Sequence, residues 1–230
     1  MAINLQAQLA GKDSLPSDPA YTEALRQYHA YLNPEPGLYN GSEYVDYQYL
    51  MRNGHPFFGD DKMRKGTLWY DGIFYQDVLM QFDEVKGYVI INDAYEIYKI
   101  SLNNSLVDRF TLENSVFINL TDSLNPSQPR NGYYEQLYKG RISLLKREKK
   151  EIHEDASSVS DGVQRDILSS VSYYIKKGES YYPVNNTNSL LQALKDKKSD
   201  VKKFIRKNGL SIRKDKENAL IKISSWYDGL

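Results

Sequence analysis

The chain contains no cysteine, which excludes a disulfide framework, a thiolate metal site and a cysteine nucleophile. No run approaches the roughly 18 apolar residues that a helical membrane span needs. Histidine is scarce, and His29, His55 and His153 stand too far apart to form a recognised ligand spacing. His153 lies among Glu151, Glu154 and Asp155, but charge clustered on a serine-rich stretch reads as a solvated loop, so no metal and no cofactor is expected. Glycine-rich phosphate loops, nucleophile elbows and His-Glu-x-x-His motifs are missing as well.

Net charge is also absent, since 30 Lys+Arg balance 30 Asp+Glu. The balance hides an asymmetry: residues 1–138 hold 10 basic against 18 acidic side chains, and residues 139–230 hold 20 against 12, so the halves carry −8 and +8. Charges of that size steer the two parts together, or leave a basic face for anionic lipid, glycan or nucleic acid. Intramolecular compensation is the simpler reading. A hydrophobic fraction of 40% with a mean hydropathy of −0.63 describes a polar globular protein.

What the chain has in abundance is tyrosine, 20 in 230 residues, mostly in short runs punctuated by Asp-Gly and Lys-Gly. Tyrosine suits a half-buried pleated surface, where its ring packs on a cross-strand neighbour and its hydroxyl reaches water or a partner. The expected fold is therefore β-rich α+β: a meandering antiparallel sheet, curved or closing into a partial barrel, with short helices at the N- and C-terminal ends.

Three regions follow from the local patterns. Residues 1–37 form a polar lead and a short helix over Ala20–Leu32, with Asp18 as N-cap ahead of Pro19. Residues 38–186 form the meander. Strands are expected over Ser42–Met51, at a hairpin of Gly66–Tyr70 with Ile73–Tyr75 across Asp71-Gly72, and over Val78–Phe82, Tyr88–Ile91, Tyr95–Leu102, Leu106–Phe110, Ser115–Leu120, Tyr133–Tyr138 and Arg141–Lys146. Glu148–Asp166 reads as a charged excursion, followed by a hairpin of Val171–Ile175 with Ser180–Val184. Residues 187–230 are expected as basic helices packed on the sheet, the last with Ala219, Leu220, Ile223, Trp226 and Tyr227 on one stripe.

Candidate chemistry is thin. Asp60, Asp61, Asp71 and Asp77 lie near Trp69 and Tyr70, which suits a glycan-active hydrolase using paired carboxylates, yet Asp71 already has a role as a turn residue. The lysines and arginines of residues 195–222 suit polyanion binding by an intracellular interaction module, but they also fill the solvent faces of amphipathic helices. The preferred reading is a non-enzymatic binding subunit whose aromatic surface draws on Tyr44, Tyr47, Tyr49, Trp69, Tyr70 and Tyr75.

Three stretches carry a resemblance: Gly132–Arg147, Tyr173–Val184 and Asp200–Asp215. Over residues 38–230 the chain resembles an uncharacterised family of exported, signal-peptide-bearing proteins of Bacteroidota. The resemblance implies export to the periplasm or outer membrane, an envelope protein or outer-membrane complex as partner, and brings no activity with it. Asp13-Ser14-Leu15 and Asp122-Ser123-Leu124 are similar to the O-glycosylation motif of such proteins, making Ser14 and Ser123 candidate acceptors.

Overall fold

The structure, a computed structural model, describes residues 37–121, 129–156 and 162–230. The described residues form eleven strands: β1 Ser42–Glu43, β2 Arg64–Tyr70, β3 Ile73–Asp83, β4 Tyr88–Asn92, β5 Lys99–Ser101, β6 Val107–Leu112, β7 Ser115–Leu120, β8 Gly132–Lys139, β9 Ile142–Asp155, β10 Gln164–Lys177 and β11 Ser180–Pro183. Three short helices follow, α1 Thr187–Ala193, α2 Lys198–Lys207 and α3 Lys216–Asp228. All strands join one open antiparallel sheet in the order β1-β5-β4-β3-β2-β6-β7-β8-β9-β10-β11. The β-rich fold is as the sequence indicates. The helix expected over Ala20–Leu32 lies outside the described residues.

Turn chemistry explains the meander. Asp71 and Gly72 both adopt positive φ, 51° and 74°, the type I′ geometry whose twist matches the strands it joins. Downstream, β3 is one continuous strand rather than two: Asp77 takes φ 55°, and the register of β2 against β3 shifts between Gly66 and Leu68, absorbing the extra residue as a bulge.

The sheet curls strongly. β9 is five strands from β3, about 24 Å away were the sheet flat. Yet Lys150 N–H donates to Glu84 C=O at 3.3 Å, and its ammonium meets the Glu84 carboxylate at 3.0 Å. A strap over residues 52–58 holds this approach. Phe58 N–H bonds Phe82 C=O, Glu84 N–H bonds Pro56 C=O, Arg52 N–H bonds Arg165 C=O, and Lys150 Nζ reaches Phe57 C=O at 2.6 Å.

Two hydrophobic cores share the concave face. Leu68, Tyr70, Met80, Phe82, Phe110, Phe117 and Tyr133 belong to the first. Phe110 stacks on Phe117 at 4.8 Å, and Phe82 lies 5.3 to 5.4 Å from Phe110, Phe117 and Tyr133, distances at which ring quadrupoles attract. The second core joins Ile142, Leu144 and Ile175 to Leu190, Leu194, Val201, Leu220 and Ile223. On β8, Tyr133 enters the first core, and Glu135, two residues on, pairs with Lys146, itself two residues from Leu144 of the second core, so Tyr133 and Leu144 share one face of the sheet. In α3, Ala219, Leu220, Ile223 and Tyr227 of the expected stripe are buried, while Trp226 is half-buried against Phe204.

Three further expectations need correction. Glu148–Asp166 is no excursion: β9 runs on to Asp155 and β10 begins at Gln164, in an unbroken ladder. Its charges are matched across the strands, with Arg165 on Glu154 at 2.7 Å and Ser169 on Glu148 at 2.6 Å. Ser42–Met51 is strand only at Ser42–Glu43, because the chain then turns Tyr44 and Tyr47 onto Asp83. Likewise only Lys99–Ser101 of Tyr95–Leu102 is strand.

Gly66 marks a close approach: an added Cβ would lie 1.9 Å from Thr111 C=O. Gly66→Ala is expected to destabilise the protein by about 2 kcal/mol or more, because backbone must move to admit it. Urea unfolding of the variant against wild type measures this.

Candidate functional site

Asp83 organises the tyrosine-rich loop. Buried at the end of β3, its Oδ2 accepts hydrogen bonds from Tyr44 at 2.8 Å and Tyr47 at 2.9 Å, while Oδ1 accepts from the Val85 and Lys86 N–H groups at 2.8 Å. Burial, followed by the Asp83 charge, pushes both phenols well above their usual range, so each remains a donor. Lys86 Nζ sits 4.2 and 4.4 Å from the Tyr44 and Tyr47 ring centroids and donates to Val45 C=O. Beyond Tyr47, Tyr49 meets it edge-on at 6.0 Å and carries Arg165 over its ring at 4.1 Å. The loop is thus held to both the β3–β4 turn and β10, with Val45 60% and Leu50 93% exposed.

A second device stands beside it. Asp93, at the start of the β4–β5 connection, accepts from Tyr95, Ile97 and Tyr98 N–H groups at 3.2, 2.6 and 2.9 Å, and its own N–H bonds Tyr98 C=O. Burial works against the Asp93 carboxylate, but these backbone donors hold its pKa below the usual range. The clamp presents Tyr95 at 79%, Ile97 at 78% and Tyr98 at 52% exposure. Tyr44 N–H bonds Lys99 C=O at 2.8 Å and Lys99 pairs with Asp46 at 2.7 Å, which sets this tip against Val45. Sequence reasoning missed the tip by reading Tyr95 onward as strand; Asp93 before a short connection was the available turn signal.

The six aromatic candidates therefore separate. Tyr44, Tyr47 and Tyr49 come together, although Tyr44 is buried and serves as an anchor. Tyr70 and Tyr75 are core residues, at 0% and 6% exposure, and offer no surface. Trp69 points to the convex face, sandwiched by Phe74 at 4.1 Å and the Arg109 guanidinium at 3.9 Å. Of the nearby carboxylates, Asp60 pairs with Arg64 and caps Lys62 N–H, Asp71 makes the turn, and Asp77 makes the bulge. His55 stacks near Phe57 at 6.4 Å. In β9, Glu151 pairs with Lys149 and Glu154 with Arg165. His29, Ser14 and Ser123 lie outside the described residues.

Between the two cores runs a charged seam. Lys146 bridges Glu217 at 2.9 Å and Glu135 at 3.3 Å, Tyr173 O–H donates to Glu217 at 3.0 Å, and Ser115 O–H donates to Glu135 at 2.6 Å. Desolvation opposes the Lys146 ammonium, but Glu217 and Glu135 hold its pKa above the usual lysine range. At the other end, burial lifts Glu84 to about 7 although Lys150 opposes it, and Glu148 adds to the lift.

On the helical side, α2 and α3 enclose an open groove of about 620 Å³. Phe204 and Trp226 stack at 4.3 Å within it, and Lys203, Arg206 and Lys207 stand at its rim. Comparison with protein-family models, with curated proteins and with solved structures yields no match to this chain.

Two measurements probe these arrangements. Asp83→Ala strands one buried and one half-buried phenol and two turn amides, and should cost about 3 kcal/mol in urea unfolding. Glu84 binds its proton more tightly folded than unfolded, so its contribution is complete below the unfolded pKa of 4.5 and fades as pH rises through about 7. Unfolding free energy should therefore fall between pH 5 and pH 8, by up to about 3 kcal/mol, and Glu84→Gln should flatten that slope.

Proposed function

We propose that this chain is a non-enzymatic accessory or binding subunit of the bacterial cell envelope, working in the periplasm or at the outer membrane. Its docking surface is the rigid aromatic edge built from the 44–51 loop and the β4–β5 tip. The observation that carries this is the Asp93 clamp, which spends a buried carboxylate on fixing a loop whose side chains face solvent. A pre-ordered loop of tyrosine and isoleucine binds at low entropic cost. Mixed charges at its base, Glu96, Lys99 and Asp46, suit a protein partner better than a uniformly charged ligand. The resemblance to exported Bacteroidota proteins supports the compartment.

A photo-crosslinking residue placed at position 97, expressed in the source cells, should capture one stoichiometric envelope protein, whereas the same probe at position 207 should not. Combining Tyr95→Ala, Ile97→Ala and Tyr98→Ala should lower recovery of that protein on the tagged chain by about tenfold or more, with the melting temperature unchanged. Glycan turnover by the purified chain, or undiminished recovery with the triple variant, would overturn the reading.

One observation favours a second reading. Among the described residues Lys195, Lys197, Lys198, Lys202, Arg206 and Lys207 form no ion pair, and Arg206 and Lys207 line the Phe204–Trp226 groove. A polyanion-binding face built this way would lose affinity steeply with added salt.

A further inference from the structure

Antiparallel strands turn the N–H and C=O of alternate residues toward one neighbour and those of the others toward the opposite edge. In β10 the odd-numbered residues face away from β9. At one end Arg165 C=O accepts from Arg52 N–H at 2.7 Å and Ile167 N–H donates to Asn53 Oδ1 at 2.7 Å. At the other, Tyr173 C=O accepts from Val184 N–H at 2.8 Å, where β11 begins its pairing. Between these, Ser169 and Val171 aim both backbone groups outward, and among the described residues no group bonds them.

The stretch Leu168–Ser172 is exposed at every residue, with Leu168 at 53% and Val171 at 43%. Edge strands are ordinarily guarded by a charge, a proline, a bulge or a covering loop. This one has none of the first three, since its sequence is Leu-Ser-Ser-Val-Ser and its ladder with β9 shows no register shift. Along β10 the covering strap reaches only as far as Gly54 beside Ile167, and β11 begins only opposite Lys177–Tyr174.

We infer that Leu168–Ser172 is a docking slot for a short extended segment of a partner polypeptide, added to the sheet edge as a further strand. Only a polypeptide backbone presents donors and acceptors at the spacing that Ser169 and Val171 require. The slot is about 17 Å long and closed in the plane of the sheet by the strap at one end and β11 at the other. That closure rules out β10 of a second copy, whose 14 residues would run into both obstructions. The occupant is therefore about five residues of flexible chain that enters and leaves across the sheet faces. Uncharged, β-branched or hydroxylated side chains suit it, lying beside Leu168 and Val171. This site is separate from the aromatic edge and stands whether or not that edge binds a partner.

The test uses the full chain with isotope-labelled amides and the blocked peptide Thr-Val-Thr-Val-Thr. Amide exchange at Ser169 and Val171 should be fast in the free protein and slow about fivefold or more when the peptide is added at saturating concentration. The same peptide N-methylated at every residue should give no protection. Val171→Pro removes an outward N–H that the fold does not use, and should keep the melting temperature while weakening peptide binding about fivefold. If that variant fails to fold, the comparison of the two peptides on wild type decides the matter. Equal protection by both peptides, or none by either, would overturn the proposal. So would a dimer of the unliganded chain that Val171→Pro abolishes.

Discussion

The approach of Lys150 to Glu84 is the contact on which the shape of this protein rests. An antiparallel meander of eleven strands could lie nearly flat with one face in water. Here the β3–β4 turn touches β9 across five strands, and the sheet must wrap its own first core to let it. The pair is buried, with 3% and 13% of the two side chains exposed, so its charges repay little net stability after desolvation. Its value is geometric. Lys150 also bonds the carbonyls of Glu84 and Phe57 with its backbone and side chain, so one residue of β9 registers the strap and the turn together.

Curling divides the tyrosines among tasks that composition could not separate. Tyr70 and Tyr133 sink into the first core and bond Asn40 and Asn104 with their hydroxyls. Tyr44 and Tyr47 pin a loop to Asp83. Tyr173 joins the seam between the cores, where burial and Glu217 push its phenol up to about 12. Among the described tyrosines, only Tyr49, Tyr95 and Tyr98 near the β1–β5 edge, along with Tyr88, are exposed. One residue type thus serves as core, anchor and contact surface because its ring and its hydroxyl can be satisfied separately.

Polar groups do more of the positioning than the cores do. Asp83 and Asp93 occupy corresponding places, each at the end of a strand and each collecting several donors to freeze the connection that follows. The loops they hold carry the most exposed apolar side chains of the β1–β5 side. Rigid loops that show hydrophobic side chains to solvent are costly for a monomer, and this is why the functional reading turns on them. The stretch of β10 left unpaired among the described residues offers a contact of another kind, made of backbone rather than side chains.

Much of the fold was legible along the chain. Asp71-Gly72 announced its hairpin, the alternation in residues 64–91 announced its strands, and the spacing of Ala219, Leu220, Ile223 and Tyr227 announced a docked helix, because each signal is set by neighbours a few residues apart. The Tyr44–Tyr49 loop was legible as aromatic but not as a loop, since a period of two in sequence does not say whether a strand partner is available. Glu148–Asp166 looked like solvated charge because its partners, Arg52, Glu84 and the opposite strand, are distant in sequence. Local residue order specified a tyrosine-rich antiparallel meander with helices docked after it. Which tyrosines face water, which carboxylates are buried and which stretch of strand lacks a neighbour among the described residues came only with folding, because those depend on how far a sheet curls before its two halves meet.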